Sequence, residues 1–272
     1  MRETFDDLRL DRVEAELQDM RSGYVHRKCI PWAIVVQPVI GAYIASGPER
    51  SVRIASGEVC LVAAGVPIAF DHRGDRAGRM RSRWLHIQAS YRGVLDPCAL
   101  HRTPSRIAGA AGARIGALFD ELLPIADGGV TARVRRLALA AHILAEALAA
   151  TAADPRADDL VAGAARLAPL TAWAKANLHR PLTIADLARA AGMSRSRLHA
   201  HCRRWLHRAP MAWLKELRLA EAAHRLLVGD DRVAAVAEAT GFANPFHFSR
   251  EFTRRYGLPP RGYRDGQRLG GA

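Results

Sequence analysis

The chain has 272 residues, 49% of them hydrophobic, and a formal net charge of +13. That is enough apolar material for one large domain or two ordinary ones, yet no run approaches the ~18 consecutive apolar residues of a membrane span. Cys29, Cys60, Cys98 and Cys202 are scattered without a CxxC pair, and the charged opening "MRETFDDLRLDRVEAELQDM" lacks an apolar leader core. Both features predict a reduced, cytoplasmic protein rather than a secreted disulfide framework.

A short N-terminal segment reads as helical. Residues 30–90 then read as β: "WAIVVQPVIGAYIA", "SVRIA", "EVCLVAAGVPIAFDH" and "SRWLHIQASY" are rich in Val, Ile and aromatics. "SGPER", "SGE" and "HRGDRAGRM" separate them with the glycine, proline and charge of hairpin turns, so a sandwich or barrel is expected. From about residue 110 the period changes. "ARIGALFDELL" and "TARVRRLALAAHILAEALAAT" space Leu, Ile and Val three and four apart, predicting helices over 111–123 and 131–150 that serve a dimer interface or interdomain packing. "AADPRADD" breaks the pattern. The expected division is therefore residues 1–151, a linker at 152–159, and a helical part at 160–272.

Charge follows the same division. Residues 160–272 hold 19 Lys+Arg against 8 Asp+Glu, whereas residues 1–159 hold 21 against 19. A nucleic-acid-binding part attached to a nearly neutral one is the expected arrangement.

The helical part contains a duplication. Ile184, Leu187, Ala188, Gly192 and Met193 match Val233, Val236, Ala237, Gly241 and Phe242 at an offset of 49. Leu198, Cys202, Pro210 and Trp213 then match Phe248, Phe252, Pro260 and Tyr263 at an offset of 50. Each unit, 183–206 and 232–256, reads as a short helix, a glycine turn and a longer basic helix. Thr183 and Ser194 cap the helices of the first; Asn244 caps the second unit's longer helix, with Pro245 at its first position. A small residue in the first helix and a glycine at the turn let two helices cross closely, as in a helix-turn-helix. "PMAWLKELRLAEAAHRLLVGD" links the units as a helix over about 210–228, with Trp213, Leu217, Ala220 and Leu227 on one stripe. At ~1.5 Å per residue such a strut spans roughly 28 Å, against ~34 Å for one turn of B-DNA.

The segment "GFANPFHFSREFTRRYGLPPRGYR", with "RLAEAAHRLL" before it, resembles the AraC/XylS family of bacterial transcription regulators. The resemblance covers about residues 166–264. It implies two helix-turn-helix units, each presenting its second helix to promoter DNA, and RNA polymerase as a further partner of an activator. Two positions depart from the pattern: Cys202 stands where a core phenylalanine is usual, and His207 where a glycine follows the recognition helix. It also implies an N-terminal domain that resembles a cupin, a small β-barrel binding an effector.

Position assigns roles within the recognition helices. Ser196, His199, Ala200 and Arg203 form an exposed face of the first, flanked by Arg195 and Arg197. Asn244, Phe246, His247 and Arg250 occupy matching ground on the second. Arginine is the commonest base reader, bidentate to guanine, so Arg203 and Arg250 are the expected readers. Arg254, Arg255 and Arg264 are expected on phosphate or in solvent. His201 is expected near the core.

In the N-terminal half, "GEVCLVAAGVPIAF" is similar to a cupin's second motif at Gly57 and Gly65. Ala63 replaces its proline, however, and Ile68 its metal histidine. His26, His72, His86 and His101 lack convincing ligand spacing, so no metal and no cofactor are expected. Trp32, Tyr43, His72, Trp84 and His86 are candidates to line an effector pocket, with core packing the competing role for each. The four cysteines read as buried small hydrophobes. No nucleophile–base pair, phosphate loop or paired carboxylate stands out.

The reading is thus an α+β, two-domain transcription regulator: a cupin-like barrel with following helices, then an all-α double helix-turn-helix. Its expected partners are promoter DNA, a small-molecule effector and a second copy of the chain, with no membrane association. A cupin metal enzyme fused to a DNA-binding domain, or an architectural DNA binder without effector, are the alternatives.

Overall fold

The computed structural model describes residues 8–126, 128–206 and 208–268. The β-rich runs form two antiparallel sheets. One has the order β1 (Leu8–Arg21), β8 (Arg79–Tyr91), β3 (Ala33–Ile40), β6 (Val59–Val62), β9 (Ser105–Ile107). The other has the order β2 (Val25–Lys28), β7 (Ile68–Arg73), β4 (Ala42–Ser46), β5 (Ser51–Ile54). Among the described residues both sheets remain open, so the expected closed barrel is not seen and the architecture is two packed layers. Of the three expected hairpin turns, only the one at residues 47–50 joins paired strands, β4 and β5. The segments at 55–58 and 74–78 carry the chain from one sheet to the other.

Side-chain alternation explains why β3 and β6 are apolar almost throughout. Ile34, Val36, Cys60 and Val62 pack into the core shared with the second sheet. Ala33, Val35, Val59 and Leu61 point the other way, against Ile115, Phe119, Leu122, Ile143 and Leu144 of α1 (Gly109–Leu122) and α2 (Gly129–Ala149). A polar link fixes this helical layer: Gln37 donates to the oxygens of Gly57 (2.6 Å) and Gly112 (3.1 Å) and accepts from Arg83 at 2.7 Å.

The N-terminal segment corrects its helical reading. It is strand β1, paired with β8 in a ladder from Leu8 opposite Tyr91 to Arg21 opposite Arg79. Its Glu, Leu and Arg residues favour helix locally, but a long partner strand and a face carrying Val13 and Ala15 toward the core override that preference.

The helical part comprises α3 (Ala157–Ala176), α4 (Ile184–Ala190), α5 (Arg195–Leu206), α6 (Pro210–Val228), α7 (Val233–Ala239), α8 (Pro245–Tyr256) and α9 (Pro260–Arg268). α3 begins within the stretch read as a linker, and Asp154 pairs back onto the oxygen of Leu100 at 2.7 Å. Two cores hold these helices. The first unit has its own, built from Leu167, Leu187, Leu198, Cys202, Trp205 and Trp213. The second does not. Leu226, Val236, Phe248, Phe252, Tyr256 and Tyr263 belong to the same cluster as Ile34, Tyr43 and Phe70 of the sheets. α6 serves both, with Trp213 and Leu214 in the first core and Leu219, Ala222, Ala223 and Leu226 in the second.

Candidate nucleic-acid interface and interior cavity

The sequence punctuation at each turn has a physical counterpart. Thr183 and Asp186 close a reciprocal capping box at the start of α4, and Gly192 ends that helix in the left-handed conformation, with φ 61°. The Ser194 hydroxyl accepts from the Arg197 amide at 3.3 Å. In the second unit, Gly241 has φ 77°, and a Cβ there would lie 2.0 Å from the oxygen of Leu178. Glycine is required at that position both for the backbone angle and for the close approach. Asn244 accepts from the amides of Phe246 (2.8 Å) and His247 (3.2 Å), and Pro245 opens α8.

These caps aim the two second helices outward. On α5, Arg195, Ser196, Arg197, Ala200 and Arg203 are exposed and His199 is half-buried, while Leu198, Cys202 and Trp205 are buried. Cys202 therefore fills the phenylalanine position as a small core residue, its thiol pushed up to about 11 by burial. His201 is half-buried, and His207 lies outside the described residues. On α8, Asn244, His247, Arg250 and Arg254 are exposed, and Phe246 is 87% exposed, an unusual position for an aromatic ring in a monomer surface. Neither helix carries an acid in its first turn, so both N-terminal ends keep their positive dipole for phosphate.

Three arginines need separate treatment. Arg254 is exposed but tethered, 2.5 Å from Glu251, which also pairs with Lys215 at 2.6 Å. Those cations hold the Glu251 carboxyl below its usual range, the Lys215 hydrogen bond foremost. Arg255 departs from its expected phosphate or solvent role. It turns inward, pairing with Glu216 at 2.9 Å and donating to the oxygen of Gly65 at 3.0 Å and to the Cys29 sulfur at 3.3 Å. Arg264 likewise donates to the backbone oxygen of Asp231. Arg255 thus links the second unit to the sheets, a contact between segments far apart in sequence, whereas Arg264 ties α9 to the segment just before α7 within the unit.

That docking creates a feature the sequence did not signal. A cleft of about 560 Å³ opens between the sheets and the second unit, lined by Arg27, Lys28, Pro67 and Ile68 on one side and Arg254, Arg255 and Leu258 on the other. Lys28 also borders a smaller cavity of about 30 Å³ inside the sheet pair. Tyr43, His72, Trp84 and His86, four of the five candidate effector residues, come together there with His26 and Phe70. Tyr43 and His72 have ring centroids 4.9 Å apart, and Trp84 and His86 4.4 Å. Trp32 stays just outside, its ring centroid 6.1 Å from that of His86 and 6.3 Å from that of His224 of α6. Burial pulls the His26 pKa down to about 3, with the charges of Lys28 and His72 acting in the same direction. Ile68, at the cupin metal position, is buried in β7, and among the described residues no three His, Cys, Asp or Glu side chains are grouped to hold a metal. Cys29, Cys60, Cys98 and Cys202 are all buried and free.

Comparison with known proteins places this geometry. A family described as a helix-turn-helix domain matches residues 187–266. The MmsAB operon regulatory protein of Pseudomonas aeruginosa is 28% identical over 222 residues, covering 81% of this chain and 70% of that protein. A putative AraC-like transcription regulator of Streptomyces lividans is 35% identical over 100 residues, covering 35% of this chain but only 33% of that protein. In fold alone, ToxT of Vibrio cholerae is similar over 94% of this chain and 99% of its own, with a TM-score of 0.60 at 10% identity. No helix among the described residues is long and apolar enough to cross a membrane. Two capped, outward-facing basic helices on a shared strut, in a segment that matches these regulators, identify a DNA-binding transcription regulator that carries an AraC-type helix-turn-helix domain.

Proposed function

We propose that the N-terminal sheets receive a small-molecule signal and that the two recognition helices enter successive major grooves of a promoter. The observation that carries this is the pairing of α5 and α8 across one strut, α6, whose 19 residues span roughly 28 Å. In this reading residues 1–151 form a cupin-like sensing and dimerising domain, residues 160–272 bind DNA, and the protein acts in the cytoplasm as a regulator rather than an enzyme. Arg203 and Arg250 read bases, Arg195 and Arg197 flank the first face, and Ser196, His199, Ala200, Asn244 and His247 complete the contact surface. Arg254 holds phosphate, its side chain aimed by Glu251.

The cleft and the ring-lined cavity, both bordered by Lys28, receive the effector. ToxT has been solved with an unsaturated fatty acid bound, which supports a small organic ligand within this fold without naming it here. Coupling follows from the docking: a ligand that binds the docked and released arrangements of the second unit with different affinity shifts the population between them. RNA polymerase and a second copy of the chain, meeting through α1 and α2, complete the partners.

The test selects bound sites from random DNA with the full chain, then footprints the selected site. Two protected segments about 10 base pairs apart are expected. Arg250→Ala relaxes base preference in one segment and Arg203→Ala in the other, each at a cost on the order of 1–3 kcal/mol. A single short footprint, with preference untouched by either substitution, overturns the two-groove reading.

A further inference from the structure

Lysine is scarce in this chain: of 40 Lys+Arg, only positions 28, 175 and 215 are lysine. Lys175 donates to the backbone oxygen of Gly93 at 2.7 Å, and Lys215 pairs with Glu251 at 2.6 Å. Both are roles that hold a cation in place. Lys28 sits differently. Its Nζ lies 3.2 Å from His86 Nε2 and 5.4 Å from the ring centroid of Trp84, at the wall of the interior cavity. The cavity is otherwise walled by apolar and aromatic groups, among them Met20, Ile34 and Phe70, and by Gln18, whose buried Oε1 lacks a hydrogen-bond partner. Arginine could supply charge here but would stay charged; a desolvated lysine can become a neutral nucleophile. The surroundings favour that form. Desolvation brings Lys28 down to about 8, with Glu14 and Glu16 on β1 opposing the shift.

We propose that Lys28 captures a small aldehyde seated in the cavity as a reversible imine. The proposal rests on the sheets being the sensing domain and adds the chemical class of what they sense. The Nζ lone pair attacks the carbonyl carbon, a C–N bond forms, and the carbonyl π pair moves to oxygen, which takes a proton from water. His86 Nε2 accepts the proton released by Nζ. It returns a proton to the hydroxyl, which leaves as water while the nitrogen lone pair closes the C=N bond, and the iminium N–H proton passes to the hydroxide left by the first step. One C=O is exchanged for one C=N and one water, with no oxidant or reductant, and hydrolysis reverses the sequence. Before water leaves, the hydroxyl of the adduct can donate to the unpartnered Gln18 Oε1. A free volume of about 30 Å³ restricts the aldehyde to a few heavy atoms.

The test treats the full-length protein with acetaldehyde and cyanoborohydride, then maps ethylation at the three lysines and the α-amino group. Lys28 is expected to be ethylated at least about tenfold faster than Lys175 or Lys215, since lowering an amine's pKa raises its neutral fraction. Lys28→Arg, checked for folding by circular dichroism, removes that fast site. Labelling of Lys28 no faster than the other lysines overturns the proposal. So does an acetate effect on DNA binding equal to that of acetaldehyde without any adduct, which would mark a carboxylate site instead. Fast labelling of Lys28 with DNA binding unmoved by acetaldehyde supports the imine and counts against the sensing reading alone.

Discussion

The phenol of Tyr263 donates a 2.9 Å hydrogen bond to the backbone oxygen of Cys29, across 234 residues of sequence. Both residues are buried, so the bond has no water to replace it. Tyr263→Phe keeps the ring edge-on to Phe252 and tilted against Tyr256 but removes the phenol's donor from the Cys29 oxygen. The expected loss is about 1–3 kcal/mol, read as a lower urea midpoint with an unchanged slope. An unchanged midpoint would mean that the second unit is not held by this contact.

Phe246 is expected to contact a thymine methyl. An 87% exposed ring at the start of a DNA-facing helix gains nothing in the free protein, and apolar contact with the C5-methyl is the major-groove interaction open to it. Replacing that thymine by uracil in a selected site should weaken binding about fourfold, from ~0.8 kcal/mol for one buried methyl. Phe246→Ala should be indifferent to the same change. Equal sensitivity in both proteins would point to another reader.

Gly241→Ala is expected to cost more than about 3 kcal/mol, because a backbone oxygen at 2.0 Å cannot yield as a flexible side chain would. Gly192 has open space around its Cβ position, so Gly192→Ala should suffer only the left-handed backbone penalty of about 1–2 kcal/mol. Thermal melts of the two variants give the comparison, and a smaller loss at Gly241 would contradict the close approach.

The acid limb of stability should begin with the interior histidines. Unfolded His26 takes a proton near 6.5, whereas folded His26 resists it down to about 3, mainly through desolvation. The unfolded state therefore binds more protons between those values, and stability present above pH 6.5 is lost as pH falls. His72 shifts in the same direction, again through burial. Glu251 and Glu58 are held below 4.5, so they act only at lower pH. His26→Leu should flatten the melting temperature between about pH 6.5 and 4.5. An unaltered slope in that window would show that His26 is already protonated when folded.

The DNA-binding units were legible because their signals are local. Gly192, Gly241, Thr183 and Asn244 act within a few residues of themselves, and the apolar stripe at Leu198, Cys202 and Trp205 repeats with the helical period. The β-runs were legible for the same reason, and the aromatic content of Tyr43, His72, Trp84 and His86 singled out the residues that share the cavity. β1 was not, since its strand state is imposed by β8, some 70 residues away. Arg255 resembles any basic residue of a DNA-facing helix. Only the contact with Gly65 and Cys29 turns it inward, and the cleft beside it belongs to neither half of the sequence.

The division of α6 between two cores makes the two reading heads mechanically unequal. The first head keeps a complete interior of its own, so it retains its shape whatever the sheets do. The second borrows part of its interior from the sheets, and undocking it would wet Phe252, Tyr256 and Tyr263. A regulator built this way has one permanent grip and one conditional grip. In the proposed two-groove reading, it stays parked at a half-site through the first head while the proposed signal decides whether the second commits.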